Sequence, residues 1–417
     1  MQTETLHQNV PLRDRLMGLI ALFARLSCLG FGGPQAHIAM QHDEAVVRQG
    51  WMTEEQFTDG VAVCEMLPGP ASTQMGIYIG YLRAGQLGAL VAGLAFIIPD
   101  FVIVVALSWL YFNFQAVPQL GAVFFGVSPV MIAIILGFCW KLGKKSLKDW
   151  IGVVIGIGVG LAIALTSISP LLLFLGAGAL GLVVYRPRSR GTPEALWLPL
   201  WLGANAPGAT VATVSADVLT ISSFWGLERI GTFFWPLLGF FFKVGAFIFG
   251  GGLVIIPLLE FEVVDRLHWL TRTEFLNGIA IGQLSPGPVV MTAAFIGFKV
   301  AGLLGALVAT VGIFTPSFLF IMAAAPVLMR LRQSAWVQAF LAGVRPAVLG
   351  AIAAAAVPLL KTAVLEQTAL GLQIIAGAIV VVALLGLVKW RVPTWQLVLG
   401  GGGIGLVLGL IPGFGFA

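Results

Sequence analysis

Phe31-Gly32-Gly33-Pro34 and Pro68-Gly69-Pro70-Ala71-Ser72-Thr73-Gln74 in the first half of the chain return as Phe249-Gly250-Gly251-Gly252 and Pro286-Gly287-Pro288 in the second. A shift of 218 residues superposes Trp51 on Trp269, Thr53 on Thr271, Phe57 on Phe275 and Gly60 on Gly278, with 15 identities in the 40 gapless positions from 31 to 70. A one-residue slip to 217 then pairs Gly80 with Gly297, Gly85 with Gly302, Gly88 with Gly305, Pro99 with Pro316, Gly126 with Gly343 and Pro129 with Pro346. The chain therefore carries two copies of one unit.

Outward from these motifs the sequence is apolar almost throughout. Of 417 residues 59% are apolar and 10% charged, with a mean hydropathy of +0.99. A water-soluble domain carries about a quarter charged residues, so the composition describes an integral membrane protein. At roughly 20 residues per spanning helix it supports about 12 spans. Runs of that kind fall at 16–33, 61–82, 86–112, 119–140, 150–166 and 170–185, and again at 231–256, 278–298, 302–328, 336–360, 369–388 and 394–412. The expected fold is an all-α polytopic membrane protein of two homologous halves, each with about five to six transmembrane helices, some of them broken or re-entrant. The expected organisation is a cytoplasmic tail 1–15, a first repeat 16–185, a linker 186–230 with a weak extra span at 195–216, and a second repeat 231–417.

Charge placement gives an orientation. The formal charge of +5 records loop sidedness in a membrane protein rather than affinity for nucleic acid. Arg13, Arg15, Arg83, Lys141, Lys144, Lys145, Lys148, Arg186, Arg188 and Arg190 share one side if six spans alternate, which puts the N-terminus in the cytoplasm. Arg330, Arg332, Lys389 and Arg391 oppose Arg229, Lys299 and Lys361, and this bias favours an inverted second half joined by an odd number of crossings. Repeated halves point to a secondary transporter with its site between them. Cys28, Cys64 and Cys139 lie in apolar runs and read as small buried hydrophobes rather than a disulfide or metal set.

The Gly-Gly and Pro-Gly-Pro breaks are where chemistry concentrates. Proline removes a backbone donor and glycine permits unusual dihedrals, so helices stop and restart there. Freed backbone groups at membrane depth are tolerated only inside protein or beside water, and a restarted helix aims its N–H groups and positive dipole end into that space, which suits an anion. Gly32, Gly33, Pro34, Pro68, Gly69 and Pro70, with Gly250, Gly251, Gly252, Pro286, Gly287 and Pro288, are the candidate cradle. Ser72, Thr73 and Gln74, and Gln283 and Thr292 in the second copy, add hydroxyl and amide groups. Arg25 and Lys243 share one repeat position inside apolar runs and are expected to converge on a dianion, with Arg345 a further buried cation. Glu65, matched by Gln283, and Asp100, matched by Ser317, are candidates for carrying a proton, or equally for partnering Arg25 or Arg83. The polar segments 35–60 and 253–277 read as amphipathic interfacial helices anchored by tryptophan. His37 and His42 are too weakly spaced for a metal site, Gly176-x-Gly178-x-x-Gly181 lies inside an apolar span, and no cofactor, metal or catalytic motif emerges.

Phe31-Gly32-Gly33-Pro34, the run from Trp51 through Pro68-Gly69-Pro70-Ala71-Ser72-Thr73-Gln74, and their second copies resemble the long-chain, two-domain form of the chromate ion transporter family over about 16–360. The resemblance implies export of chromate from the bacterial cytoplasm across the inner (plasma) membrane, chromate resistance, and the proton-motive force as energy source. Glu65 and Asp100 depart from the residues usual in that family. The implied partners are chromate and the lipid bilayer, with sulfate as a second oxyanion and a homo-oligomer left open. A channel built on the same broken helices is the alternative.

Overall fold

The computed structural model describes residues 10–114, 117–147, 149–185, 224–248, 252–324, 335–367 and 369–411, and over them it is helical, without strands. Gly250, Gly251 and the segment 195–216 lie outside the described residues. The first copy comprises α1 (Leu12–Leu29), α2 (Pro34–His42, continued as a π-helix Asp43–Arg48), α3 (Glu54–Met66), α4 (Ala71–Asn113), α5 (Pro118–Ser146), α6 (Trp150–Leu165) and α7 (Pro170–Val184). The second repeats the order as α8 (Leu227–Ala246), α9 (Ile256–Leu259, continued as a π-helix Glu260–Arg266), α10 (Arg272–Leu284), α11 (Thr292–Ala324), α12 (Ala335–Leu360), α13 (Leu370–Val388) and α14 (Thr394–Gly409).

Glycine decides where these helices turn back. Ala84 and Gly85 leave helical geometry within α4, Gly85 at φ +65°, and Ala301 and Gly302 do the same within α11. A Cβ on Gly80 would meet the carbonyl of Gly88, and one on Gly88 the carbonyl of Gly80. Residues eight apart in a straight helix are about 12 Å apart, so α4 folds back on itself. Gly297 and Gly305 make the same close pair in α11.

Further back, Gly60 faces Tyr78 and Met75, and Gly278 faces Phe295. Thus α3 and the first part of α4 are antiparallel arms of a hairpin with Pro68-Gly69-Pro70 at its tip. Each arm has about 13 residues, or about 20 Å, too short to cross a bilayer. The expected spans at 61–82 and 278–298 are therefore re-entrant hairpins. The first apolar run turns back as well: Gly18 faces Trp51 across α1 and α2, and His37 meets the Gly30 carbonyl. Segments 35–60 and 253–277, expected at the interface, instead form the returning arm of one hairpin and the entering arm of the next.

The second copy is inverted. Arg15 donates to the carbonyl of Arg83, and the Arg83 guanidinium lies 5.2 Å from the Trp51 ring centre, so both first-copy hairpins open on one face, the near face. Phe112, at the far end of α4, packs on Phe295 and Phe298 and under Lys299, beside the turn at Ala301 and Gly302. The intervening stretch of α4 is about 40 Å long, so the second-copy hairpins open on the far face. Helix directions agree. Gly152 and Gly156 lie against Pro346 and Gly160 against Gly350, so α6 and α12 run parallel, although α12 is the copy of α5, which runs opposite to α6.

Five helices among the described residues are long and apolar enough to cross a membrane: Ala71–Asn113, Pro118–Lys144, Val289–Ala323, Ala335–Leu365 and Leu370–Val388. Trp150–Leu165, Pro170–Val184 and Thr394–Gly409 are shorter apolar helices. Asp149 caps α6 by accepting from the Gly152 N–H at 2.7 Å and from the Tyr185 hydroxyl at 2.7 Å, which fixes the ends of α6 and α7 together. Those two bonds, Tyr185 first, hold its carboxyl below the ordinary range.

Candidate functional site

The tips of the oppositely entering hairpins meet. Gly69 N–H donates to the carbonyl of Ile248, at the end of the second-copy hairpin, over 2.7 Å. Gly69 has φ +130°, a dihedral that favours glycine, and a Cβ there would run into Ser317 and Gln74. In the opposite sense, Gly287 N–H donates to Asp100 Oδ1 over 3.2 Å, and a Cβ on Gly287 would enter the Asp100 carboxyl. Each Pro-Gly-Pro thus presses on the residue after the helix proline (Pro99 or Pro316) of the other copy. His37 Nε2 spans both tips, held by the carbonyls of Gly30 and Pro286, the latter at 2.9 Å.

Around the tips lies a set of buried polar atoms. Ser27, Gln41, Ser72, Thr73, Gln74, Asp100 and Ser317 are buried, and Ser27 Oγ, Gln41 Oε1, Ser72 Oγ, Thr73 Oγ1, Gln74 Oε1, Asp100 Oδ2 and Ser317 Oγ lack a hydrogen-bond partner. Gln74 Nε2 braces the loop by donating to the Pro68 carbonyl at 2.7 Å, and Gln41 Nε2 donates to the Ser72 carbonyl at 3.0 Å. Buried polar groups are normally satisfied, so this many at one depth is a place built for something polar to pass or bind. Pro34 and Ala71 begin helices there, so unpaired N–H groups of their first turns add donors. Gln283 and Thr292 are buried in the matching second-copy hairpin, where Thr292 Oγ1 donates to the Val289 carbonyl.

The charged candidates separate from this centre. Arg25 pairs with Glu44, and Lys243 pairs with Glu262 at 3.7 Å; Glu44 and Glu262 also occupy one repeat position. Arg48 and Arg266, matched in turn, bind the same carboxylates at 3.2 and 2.9 Å. The two cations expected to converge on one anion are instead each neutralised within their own hairpin. Arg345 is exposed on α12 rather than buried, its neighbour Pro346 packing on α6. Glu65 is exposed and Cys28 too, while Cys64 is buried. No group of three or more His, Cys, Asp or Glu side chains among the described residues is arranged for a metal ion.

The carboxylates Glu44 and Glu262 were missed by sequence reading, although the 218-residue shift superposes them as it does Arg25 and Lys243. Gln41 was missed, and His37 weighed only as a metal ligand, for the opposite reason. The second copy has Ile255 and Leu259 at their places, so the repeat carries no mark of them.

With that geometry established, comparison with known proteins is decisive. The sequence signature described as chromate transporter matches residues 17–182 and 235–406, one match in each copy. The chain belongs to the chromate transporter family. It is 36% identical over 356 residues to the chromate transport protein of Cupriavidus metallidurans, covering 84% of each chain. It is 35% identical over 351 residues to the probable chromate transport protein of Synechococcus elongatus, covering 82% of this chain and 84% of that one. Identity to the chromate transport protein of Pseudomonas aeruginosa is 32% over 363 residues, 86% and 84% of the two chains. No solved structure matches the chain significantly.

Proposed function

We propose that this member of the chromate transporter family is a secondary active transporter that exports chromate from the bacterial cytoplasm across the inner membrane and so confers chromate resistance. The observation that carries the reading is the meeting of two oppositely entering hairpin tips around the buried hydroxyls of Ser72, Thr73 and Ser317, which have no partner. The four acceptor oxygens of a tetrahedral oxyanion would be met there by backbone N–H groups of the loops and first turns at Gly33-Pro34, Gly69-Pro70 and Gly287-Pro288, by the Ser72 and Thr73 hydroxyls, and by the second amide hydrogen of Gln74 Nε2, whose first is held by the Pro68 carbonyl. Gly32, Gly252, Pro68 and Pro286 shape the loops. Arg25 and Lys243 tie the arms of their hairpins together through Glu44 and Glu262.

Sidedness supports export. Arg13, Arg15, Arg83, Lys141, Lys144, Lys389 and Arg391 collect on the near face, whereas on the far face Arg266, Arg272, Lys299 and Lys361 pair with Glu262, Asp265, Glu274 and Glu366. The positive-inside rule supports a cytoplasmic near face, and with it a cytoplasmic start of α1. With the cytoplasm negative, moving two negative charges outward is favoured by about 4.6 kcal/mol per 100 mV. Sulfate shares the shape and charge of chromate and competes for the same centre.

The test is chromate accumulation by everted membrane vesicles, with excess sulfate and a proton uncoupler each added. Saturable accumulation that shows counter-flow and falls with both additions supports the reading; unsaturable flux without counter-flow would make the protein a channel. Arg25→Ala and Lys243→Ala should each abolish export at unchanged protein level, and normal export by both would remove the cations from the mechanism.

A further inference from the structure

We infer that the Asp100 carboxyl occupies the anion's place at the second Pro-Gly-Pro tip, so that an oxyanion binds there only when Asp100 has taken up a proton. The inference rests on the proposed transport function and deepens it.

Asp100 is completely buried, in mid-course of α4 and directly after Pro99. Its Oδ1 accepts from Gly287 N–H, the middle residue of the tip loop, at 3.2 Å; the Ser285 hydroxyl is also close to the carboxyl but donates to the Gly282 carbonyl, which leaves Oδ2 without a well-formed hydrogen bond. Among the described residues no Lys or Arg pairs with it. In the other copy the same position is Ser317, whose buried Oγ lies against Gly69 and is also without a partner. The two tips thus differ in one respect. At the first, the loop N–H of Gly69 is satisfied by a neutral backbone carbonyl; at the second, the loop N–H of Gly287 is satisfied by a tethered carboxyl.

A tip N–H ahead of a restarting helix is a donor suited to an oxyanion. An ionised carboxyl on that donor, in a site closed to water, repels an incoming dianion, and one of the two must lose charge or leave. Protonation of Oδ2 removes the repulsion and turns it into a donor toward an anion oxygen. The proton comes from water on the face to which the site is open and departs with the anion on the other. Each dianion that uses this tip moves with one proton, and the net charge transferred is one negative charge.

The other groups that could titrate are few: α1, packed on α4, carries Arg25, taken up by Glu44, and Cys28, which is exposed, and α3 carries Cys64 and Glu65. Asp100 is the one ionisable side chain of α4 between Arg83 and Tyr111, and α11 has none between Lys299 and the end of the helix. The second tip contributes Ser285 and Gly287, which do not ionise. From α2 comes His37, whose ring lies edge-on to Phe96 and whose Nε2 is held between the two carbonyls.

The experiment measures chromate uptake by vesicles holding the full chain, at alkaline pH above the range in which chromate itself takes up a proton. In the unaltered protein the apparent affinity should weaken about tenfold per unit rise in pH, the slope of one linked proton. Asp100→Asn and Asp100→Ser, the latter copying the repeat partner, should bind with a pH-independent affinity and move no proton with the anion. Two changes of side chain guard against misfolding, and thermal stability of each is checked. A slope that persists in both variants overturns the inference while leaving transport intact, as does a slope that vanishes in His37→Asn instead. Absence of chromate uptake by the unaltered protein would overturn the transport function, and this inference with it.

Discussion

The first-copy hairpins and the second-copy hairpins share their order of elements, their Pro-Gly-Pro loops and the ion pairs on Glu44 and Glu262, yet they are packed differently. The second set is absorbed into the main core: Phe275, Leu276, Phe295 and Phe298 share one continuous apolar cluster with α5, α7, α12 and α13. The first set forms a smaller cluster of its own, with Leu19, Phe23, Ile38, Phe57, Met75, Ile77 and Phe96, joined by Ile321 of α11. Exposure follows. Glu65 is exposed where its copy Gln283 is buried, and Arg25 is 52% exposed at the side chain where Lys243 is 30%. One fold thus rests in two environments within one molecule. In an inverted repeat, exchanging those environments between the copies turns access from one face to the other, which is alternating access without a new fold.

The comparison can be broken most severely by locking the looser unit. Phe31 at the first tip packs on Trp395 of α14, ring centres 5.6 Å apart. Cysteines at these two positions, in a background with Cys28, Cys64 and Cys139 replaced by alanine, should allow a short thiol cross-linker to stop chromate transport almost completely; full activity after verified cross-linking would show that the unit does not move. A smaller but still large effect is expected on access. Glu65→Cys should react with a membrane-impermeant thiol reagent faster than Gln283→Cys, on the order of tenfold or more, because local opening decides the rate. Equal rates would remove the asymmetry.

Stability separates the copies further. Asn277 joins Ser128, at 3.3 Å, to the Tyr111 hydroxyl, at 3.0 Å, within the main core. Asn277→Ala leaves those partners unsatisfied and should cost about 1–3 kcal/mol in thermal or denaturant unfolding, more than Asp59→Ala at the matching position. The smallest effect should be the same in both copies. Thr53 with Gln56 and Thr271 with Glu274 form reciprocal caps at the starts of α3 and α10. Thr53→Ala and Thr271→Ala should each cost about 1 kcal/mol, since a cap is local and indifferent to what covers the hairpin; a clear difference between them would extend the asymmetry to the helix ends.

The repeat, the breaks and the inversion were legible because they are written in residue types. Glycine and proline mark turns wherever they stand, and Lys and Arg mark faces. The break in 61–82 was legible at Pro68-Gly69-Pro70, but whether the run crosses or turns back was not, for a physical reason: hydropathy reports burial from water, and a re-entrant hairpin is as apolar as a helix that crosses. The Thr-x-x-Gln/Glu caps at 53 and 271, set just before those runs, are the local signal that a helix starts there. The pairing of Arg25 with Glu44 depends on which way a chain turns at Gly30, and spacing alone does not encode it. Asp100 was singled out as a charge in an apolar run, but its contact with Gly287 joins residues 187 apart and exists only once the copies are assembled.

The hairpin tips also constrain the order in which the chain is made into a membrane protein. An arm of about 20 Å ending in unpaired backbone groups cannot rest in hydrocarbon by itself. The long helices after each tip can, so they enter first, and the hairpins lie at the surface until the opposite copy arrives to receive them. Because the copies are inverted, the two pairs of hairpins wait on opposite sides of the bilayer, and the centre closes only after both halves have been synthesised.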